Sequence, residues 1–284
     1  MTHFADPSEE SPFGFASSSE AGVKHQKVLL YAHHGFGKTY QIRYFQKRYG
    51  RGLVLSGESG MASLSDVNIE VAEFTSWDGP HDPANKIYSF KGLCAMIASP
   101  AFKAAGYQWI AVDSLTELSD RCMQWVEQGL IEAGAAKGKS AQDSIADLRK
   151  WQDYGRAFKG AVKWLRDLPY HVFVTCLAKS EKNENDEIDH WPAVQQRSVA
   201  ENVPGMFDHV FCGIRQTQKD PGTGNTHVRR LVITDEVNGW HGKARDPRRR
   251  LKPVEDGLNI VDLLDRMAMD DDAFEKLSKQ TTGE

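Results

Sequence analysis

The segment from Tyr31 to Thr39, YAHHGFGKT, constrains the fold more than any other in the chain. It continues a short apolar run, VLLYA (28–32), and opens a helical pattern, TYQIRYFQKRY. A buried strand, a glycine-rich turn and a helix in that order make half of a strand–helix–strand unit. Such units assemble into a mainly parallel sheet with helices on its faces. Aligned with the phosphate-binding pattern G-x-x-x-x-G-K-S/T, the residues are Ala32, His33, His34, Gly35, Phe36, Gly37, Lys38 and Thr39. Gly35 and Gly37 let the backbone curl so that its N–H groups face an anion, and the helix N-terminus adds partial positive charge. Lys38 is placed to reach the β- and γ-phosphates of a nucleotide, and the Thr39 hydroxyl to hold Mg2+. Tyr40 follows directly and is counted with the loop. Ala32 stands where the pattern has its first glycine. That position ends the strand, ahead of the anion-cradling turns, so a methyl group there removes no ligand. His33 and His34 are adjacent, a spacing that rarely converges on one metal ion, and are read as spacers within the loop.

Four further apolar runs are GLVLSG (52–57), IEVAEF (69–74), WIAVD (109–113) and HVFVTC (171–176). They are short and rich in β-branched or aromatic residues, as strands buried on both faces are. Between the last two, Ile145, Leu148, Trp151, Tyr154, Phe158, Val162 and Leu165 recur at three- and four-residue steps, which predicts an amphipathic helix packed on the sheet. HVFCGIRQTQ and HVRRLVITDE flank KDPGTGN and predict an antiparallel hairpin extending that sheet. The expected class is α/β. A length of 284 residues suits one large domain with small appendages. Residues 1–24, rich in Ser, Glu, Gly and Pro without periodicity, are expected to be disordered. Residues 25–265 are expected to form the domain, and 266–284 a polar, acidic tail.

No apolar run approaches the roughly 20 residues that span a bilayer. The N-terminus lacks the basic start and apolar stretch of a secretion signal. The expected address is the cytoplasm, with no membrane partner. Cys94, Cys122, Cys176 and Cys212 are far apart and form no C-x-x-C pair, which argues against zinc and against a disulfide framework. A net charge of −4 excludes coating of DNA by bulk charge, so a nucleic-acid contact requires a local patch.

Asp113 ends WIAVD and is followed by Ser, the pattern of a second nucleotide-site motif. A carboxylate there can order a water on Mg2+ beside the phosphates. Glu58 ends the second strand run, in GLVLSGESG, and can act as a general base or orient an attacking water, or else is an exposed loop glutamate. Thr175 ends HVFVT, where a hydroxyl can sense the γ-phosphate, although strand threonines are common. The segment Ala32–Thr39 and the residues Glu58, Asp113 and Thr175 all fall at C-terminal ends of predicted strands, where open parallel sheets bind ligands.

In this order, the residues resemble the RecA-type ATPase core of the P-loop NTPases. More narrowly, the chain is similar to short phage-encoded RecA-like proteins of the single-strand annealing and recombinase group. The likeness covers about residues 25–265 and is carried by GLVLSGESG, VDSLTEL, WQDYGRAFKGAVKWLRDL and NGWHGKARD. It implies a RecA-like core ending in an antiparallel hairpin, and ATP bound with Mg2+ between subunits of a homo-oligomeric ring or filament. It further implies ATP hydrolysis, single-stranded DNA as partner in recombination, annealing or repair, and a single-strand-binding protein as a further partner. It makes Glu58 the candidate water-activating residue. It also points to Lys243 and Arg245 as cations reaching a neighbour's γ-phosphate, against the alternative of a solvated basic turn in KARDPRRRLK. The family's DNA-binding loop would follow the fifth strand. Here that segment, AKSEKNENDEIDHWPAVQQR, carries more acids than bases over much of its length. Lys179, Lys182, Trp191 and Arg197 could touch a phosphate or stack on a base there, and Arg229, Arg230 and Arg248–Arg250 offer another basic track. The acidic loop and net charge support an alternative: a nucleotide-dependent switch or assembly module with little turnover and no direct DNA contact.

Overall fold

A computed structural model describes residues 25–58, 61–146, 148–220, 222, 224–257 and 259–282. The expected disorder of residues 1–24 lies outside the described residues. The strands, in chain order, are β1 (Lys27–Ala32), β2 (Gly52–Ser56), β3 (Glu70–Ser76), β4 (Tyr88–Ser89), β5 (Trp109–Asp113), β6 (His171–Lys182), β7 (Ile188–Pro192), β8 (His209–Lys219), β9 (Thr226–Ile233), β10 (Glu236–Val237), β11 (Trp240–His241) and β12 (Val254–Asp256). The helices are α1 (Ile42–Tyr49), α2 (Phe90–Ala98), α3 (Pro100–Ala104), α4 (Leu115–Ala135), α5 (Ala141–Ile145), α6 (Arg149–Asp167), α7 (Arg197–Asn202), α8 (Ile260–Ala268) and α9 (Asp271–Thr282).

The main sheet runs β12-β9-β8-β1-β6-β5-β2-β3-β4. It is parallel from β8 to β4 and antiparallel at β9 and β12. This is an α/β fold with a mainly parallel sheet, in which β6 stands between β1, which leads into the phosphate loop, and β5, which ends in Asp113. Successive side chains of a strand point to opposite faces, and both faces here are covered. Leu29, Tyr31, Leu53, Leu55, Ile110 and Val112 pack under α2, α4 and α6. Val28, Leu30, Val54, Trp109 and Phe173 pack under α1 and α8. Burial on both sides is why these strands read as continuous apolar runs.

The structure departs from the sequence expectations in three places. The apolar stripe of α6 is Tyr154, Phe158, Val162 and Leu165, all fully buried, whereas Leu148 is 79% exposed and Ile145 belongs to the separate short helix α5. β6 continues well past Cys176 and turns back as β7, which pairs with β11, which in turn pairs with β10. The expected boundary at 265/266 falls inside α8, and α9 follows it. Arg250, only 5% exposed, ties α9 to the domain through Asp271 and the Met269 carbonyl. Lone burial of that guanidinium would be costly, and the pairing offsets the cost.

Candidate nucleotide site

The phosphate loop connects β1 to the helical turn before α1. Gly35 (φ +74) and Gly37 (φ +102) both adopt left-handed backbone that glycine alone enters freely. The Phe36 side chain between them does not face a ligand: it is 1% exposed and packs in the core. Its seat is the bare backbone of Gly213 on β8, where an added Cβ would come within 2.6 Å of the Phe36 ring. The loop is thus docked on β8, the strand paired with β1 on the side away from β6.

Lys38 folds its ammonium across the loop, donating to the Ala32 carbonyl (3.1 Å) and the His33 carbonyl (3.3 Å). Burial lowers its pKa, and the negative charges of Asp113 and Glu58 act against that shift. Thr39 Oγ1 donates to Asp113 Oδ2 at 2.8 Å. Thr175 Oγ1 donates to the other oxygen, Asp113 Oδ1. Asp113 is 1% exposed and burial raises its pKa, while the Thr175 and Thr39 hydroxyls favour its charged form. Thr175 is fully buried with its single proton committed to Asp113. Here its hydroxyl is directed at the Asp113 carboxylate, which it holds in place.

Glu58 is exposed just past β2 and lies on the same edge, close enough for its charge to raise the pKa values of Asp113, Glu117 and Lys38. Its backbone is held by Ser56 Oγ, which donates to the Glu58 carbonyl at 2.7 Å. Gly57 before it is wedged, since an added Cβ would sit 2.7 Å from Glu117 Cβ and 2.8 Å from Phe74 Cζ. Ser114 begins α4 with its hydroxyl toward Glu117 N, a helix cap of the S-x-x-E kind.

His33 is more than a spacer. Its ring meets His190 and Trp240 edge-on, with centroids 5.7 and 5.6 Å away, and Ser180 Oγ lies 3.4 Å from its Nε2. His190 stacks on Trp240 at 4.1 Å. Tyr31 OH donates to the His190 carbonyl (3.0 Å) and accepts from His241 N (2.9 Å), pinning β7 and β11 to β1. The sequence gives little warning of this cluster, because its members lie on four separated segments. His34 is exposed in the loop. Tyr40 is 37% exposed, with the Arg43 guanidinium 3.8 Å over its ring.

Lys243 and Arg245 are not brought to this edge. Lys243 pairs through its backbone with Val210 and donates its ammonium to the Pro204 carbonyl at 3.2 Å. Arg245 pairs with Asp208 at 3.0 Å, before the start of β8. Most basic residues of the expected DNA-facing segments also have partners. Lys179 pairs with Glu181, Lys182 with Asp186, Arg197 with Glu201, Arg229 with Asp256, and Arg248 and Arg250 with Asp271. Trp191 is stacked on His241, centroids 3.7 Å apart.

The donor set fits Mg2+. One hydroxyl and one carboxylate converge beside a phosphate loop, and Mg2+ is commonly held by one or two carboxylates, waters and substrate phosphates. The core and loop define a P-loop nucleotide-binding protein. The sequence matches the AAA domain family over residues 24–245, and the chain belongs to that family. Comparison with curated proteins finds no match. Among solved structures, that of the flagellar accessory protein FlaH from Methanocaldococcus jannaschii is similar, with a TM-score of 0.36 and 10% identity, covering 85% of this chain and 94% of that one. Among the described residues, no helix is long and apolar enough to cross a membrane.

Proposed function

We propose that the chain is a Mg2+-dependent ATPase of the RecA-like class that acts on single-stranded DNA in phage recombination, annealing or repair. The observation that carries the ATPase reading is the buried Asp113 carboxylate, gripped by the Thr39 and Thr175 hydroxyls at the mouth of the phosphate loop. Thr39 and Asp113 would hold Mg2+, which supplies charge neutralisation at the phosphates. The loop N–H groups and Lys38 bind the β- and γ-phosphates. Glu58 accepts a proton from the attacking water as its oxygen bonds to the γ-phosphorus, and the bond to the β-phosphate oxygen breaks to release ADP. Arg245, with a side chain 60% exposed, is the better of the two downstream cations to reach a neighbouring subunit's nucleotide in a homo-oligomer. The DNA role rests on the family resemblance. The internal pairing of the basic residues favours a second reading, a nucleotide-driven switch without direct DNA contact.

Hydrolysis measured with Mg2+, with and without single-stranded DNA at low salt, separates the two. Stimulation by DNA supports the recombinase reading, and tight nucleotide binding with negligible turnover supports the switch. Lys38→Ala should abolish nucleotide binding or turnover, whereas Glu58→Gln should bind but stop turning over. Normal turnover by Glu58→Gln removes Glu58 from the mechanism.

A further inference from the structure

The face of β8 that seats Phe36 on Gly213 carries Arg215 two residues further on, at the loop end of the strand. Residues two apart on a strand share a face. An added Cβ at Gly35 would lie 3.1 Å from Arg215 Nη1, so the guanidinium rests against the backbone of the phosphate loop itself. Directly across the hairpin, Arg215 is paired in register with Arg230. Two like charges facing each other across a strand pair are destabilising unless an anion lies between or beside them. Neither arginine has an ion-pair partner among the described residues, and Arg230 Nε is buried with no hydrogen-bond partner. This contrasts with Arg229, whose side chain points to the opposite face and is paired with Asp256. The unpaired cations are thus those on the loop side of the hairpin.

We propose that Arg215, supported by Arg230, binds the terminal phosphate of a nucleoside triphosphate held in the loop of the same chain. The proposal rests on the nucleotide-binding reading above and goes beyond it. It makes the β8–β9 hairpin the element that distinguishes a triphosphate from a diphosphate. The phosphate loop supplies N–H donors and Lys38 from the β1 side, and Arg215 approaches over Gly35 from the β8 side. A guanidinium suits this position because its planar fork can give two parallel N–H donors to phosphate oxygens. Glycine is required at position 35 on two counts: its φ of +74 and the arginine that would crowd any side chain there.

The test compares a non-hydrolysable ATP analogue with ADP in fluorescence titrations of wild type, Arg215→Gln and Arg215→Lys. A charged hydrogen bond corresponds to roughly a 10- to 100-fold change in affinity. Arg215→Gln should lose triphosphate affinity by about that factor while ADP affinity stays within about twofold. Arg215→Lys should fall between. Equal losses for both nucleotides, or no loss, overturn the proposal. A fourth arm measures binding of a single-stranded oligonucleotide without nucleotide. If that falls in Arg215→Gln while the ATP-to-ADP ratio holds, the arginine reads a DNA phosphate and the proposal is wrong. If wild type binds neither nucleotide, the nucleotide-binding reading fails with it. If wild type binds both and only the ratio in Arg215→Gln is unchanged, that reading stands and this inference alone falls. Because Arg215 is exposed, the variant keeps the fold, and circular dichroism of each variant verifies this.

Discussion

Asp113 shows how a single side chain was half legible. The run of apolar residues ending in Asp-Ser pointed to a metal-side carboxylate because it follows a phosphate loop; alone it would say little, since many buried strands end in Asp. What the pattern could not show is how the charge is kept in a site that burial makes unfavourable for it. Two hydroxyls from different elements, Thr39 after the loop and Thr175 on β6, each donate to one carboxylate oxygen. Thr175→Val preserves shape and removes one of these donors. Loss of a hydrogen bond to a buried charged group costs about 1.5–3 kcal/mol. The Asp113 pKa should rise further, so a metal must compete harder with a proton. Titration of Mg2+ against nucleotide binding should show the half-saturating concentration rising roughly tenfold, with a larger effect at lower pH. An unchanged Mg2+ requirement would return Thr175 to the role of a γ-phosphate contact.

At the scale of elements, the parallel core was legible because each strand is buried on both faces and its apolar run is therefore unbroken. β5 falls on WIAVD, and β8 and β9 form the antiparallel hairpin expected on either side of KDPGTGN. The extension of β6 and the strands β7, β10 and β11 were not legible. They are short or polar, and their pairing depends on residues far away in the chain, such as Trp240 against His190. Docking of the phosphate loop on β8 was equally hidden, although GIRQ places Gly213 and Arg215 on one face by simple alternation. This contact is testable as an element-level device. In Gly213→Ala the new methyl would lie within 2.6–2.7 Å of three Phe36 ring carbons, so the ring and its loop must shift. Overpacking of this kind costs about 1–3 kcal/mol. We expect a melting temperature lower by several degrees, about 2–4 °C per kcal/mol for a chain of this size, and weaker binding of ATP and ADP alike. Adding Phe36→Leu should recover part of both. If Gly213→Ala changes neither quantity, the loop is not seated by this contact.

For the whole molecule, the two edges of the sheet do different work. The C-terminal edge gathers the phosphate loop, Glu58 and Asp113, and the N-terminal edge is closed by Gln26, His171 and His209. Gln26 N donates to His171 Nδ1 at 3.1 Å, and Gln26 Oε1 lies 2.8 Å from His209 Nε2. His209 Nδ1 in turn accepts from Arg245 N at 3.3 Å. Both imidazoles thus use Nδ1 as an acceptor, which protonation would abolish. Burial is the main cause that lowers each pKa from 6.5 to about 4. His25, Lys27 and Arg48 lower that of His171 further. At His209, Arg245 and Lys243 push the same way, while Asp208 and Asp246 oppose them. Between pH 6.5 and about 4 the unfolded chain binds more protons at these two positions than the folded chain does. Stability is therefore fully present above 6.5 and lost as pH falls through this window. The melting temperature should decline as pH falls from about 7 toward 5. His171→Asn combined with His209→Asn keeps an acceptor near each Nδ1 position but cannot take up the proton. That variant should make the decline between pH 6.5 and 5 shallower even if it melts lower overall, leaving the contribution of His190, whose pKa burial also lowers, because the carboxylates held down by partners, such as Asp66 and Asp256, titrate below this range. The same decline in the double variant would show that the acid sensitivity of the fold arises elsewhere, and that the N-terminal edge is not its origin.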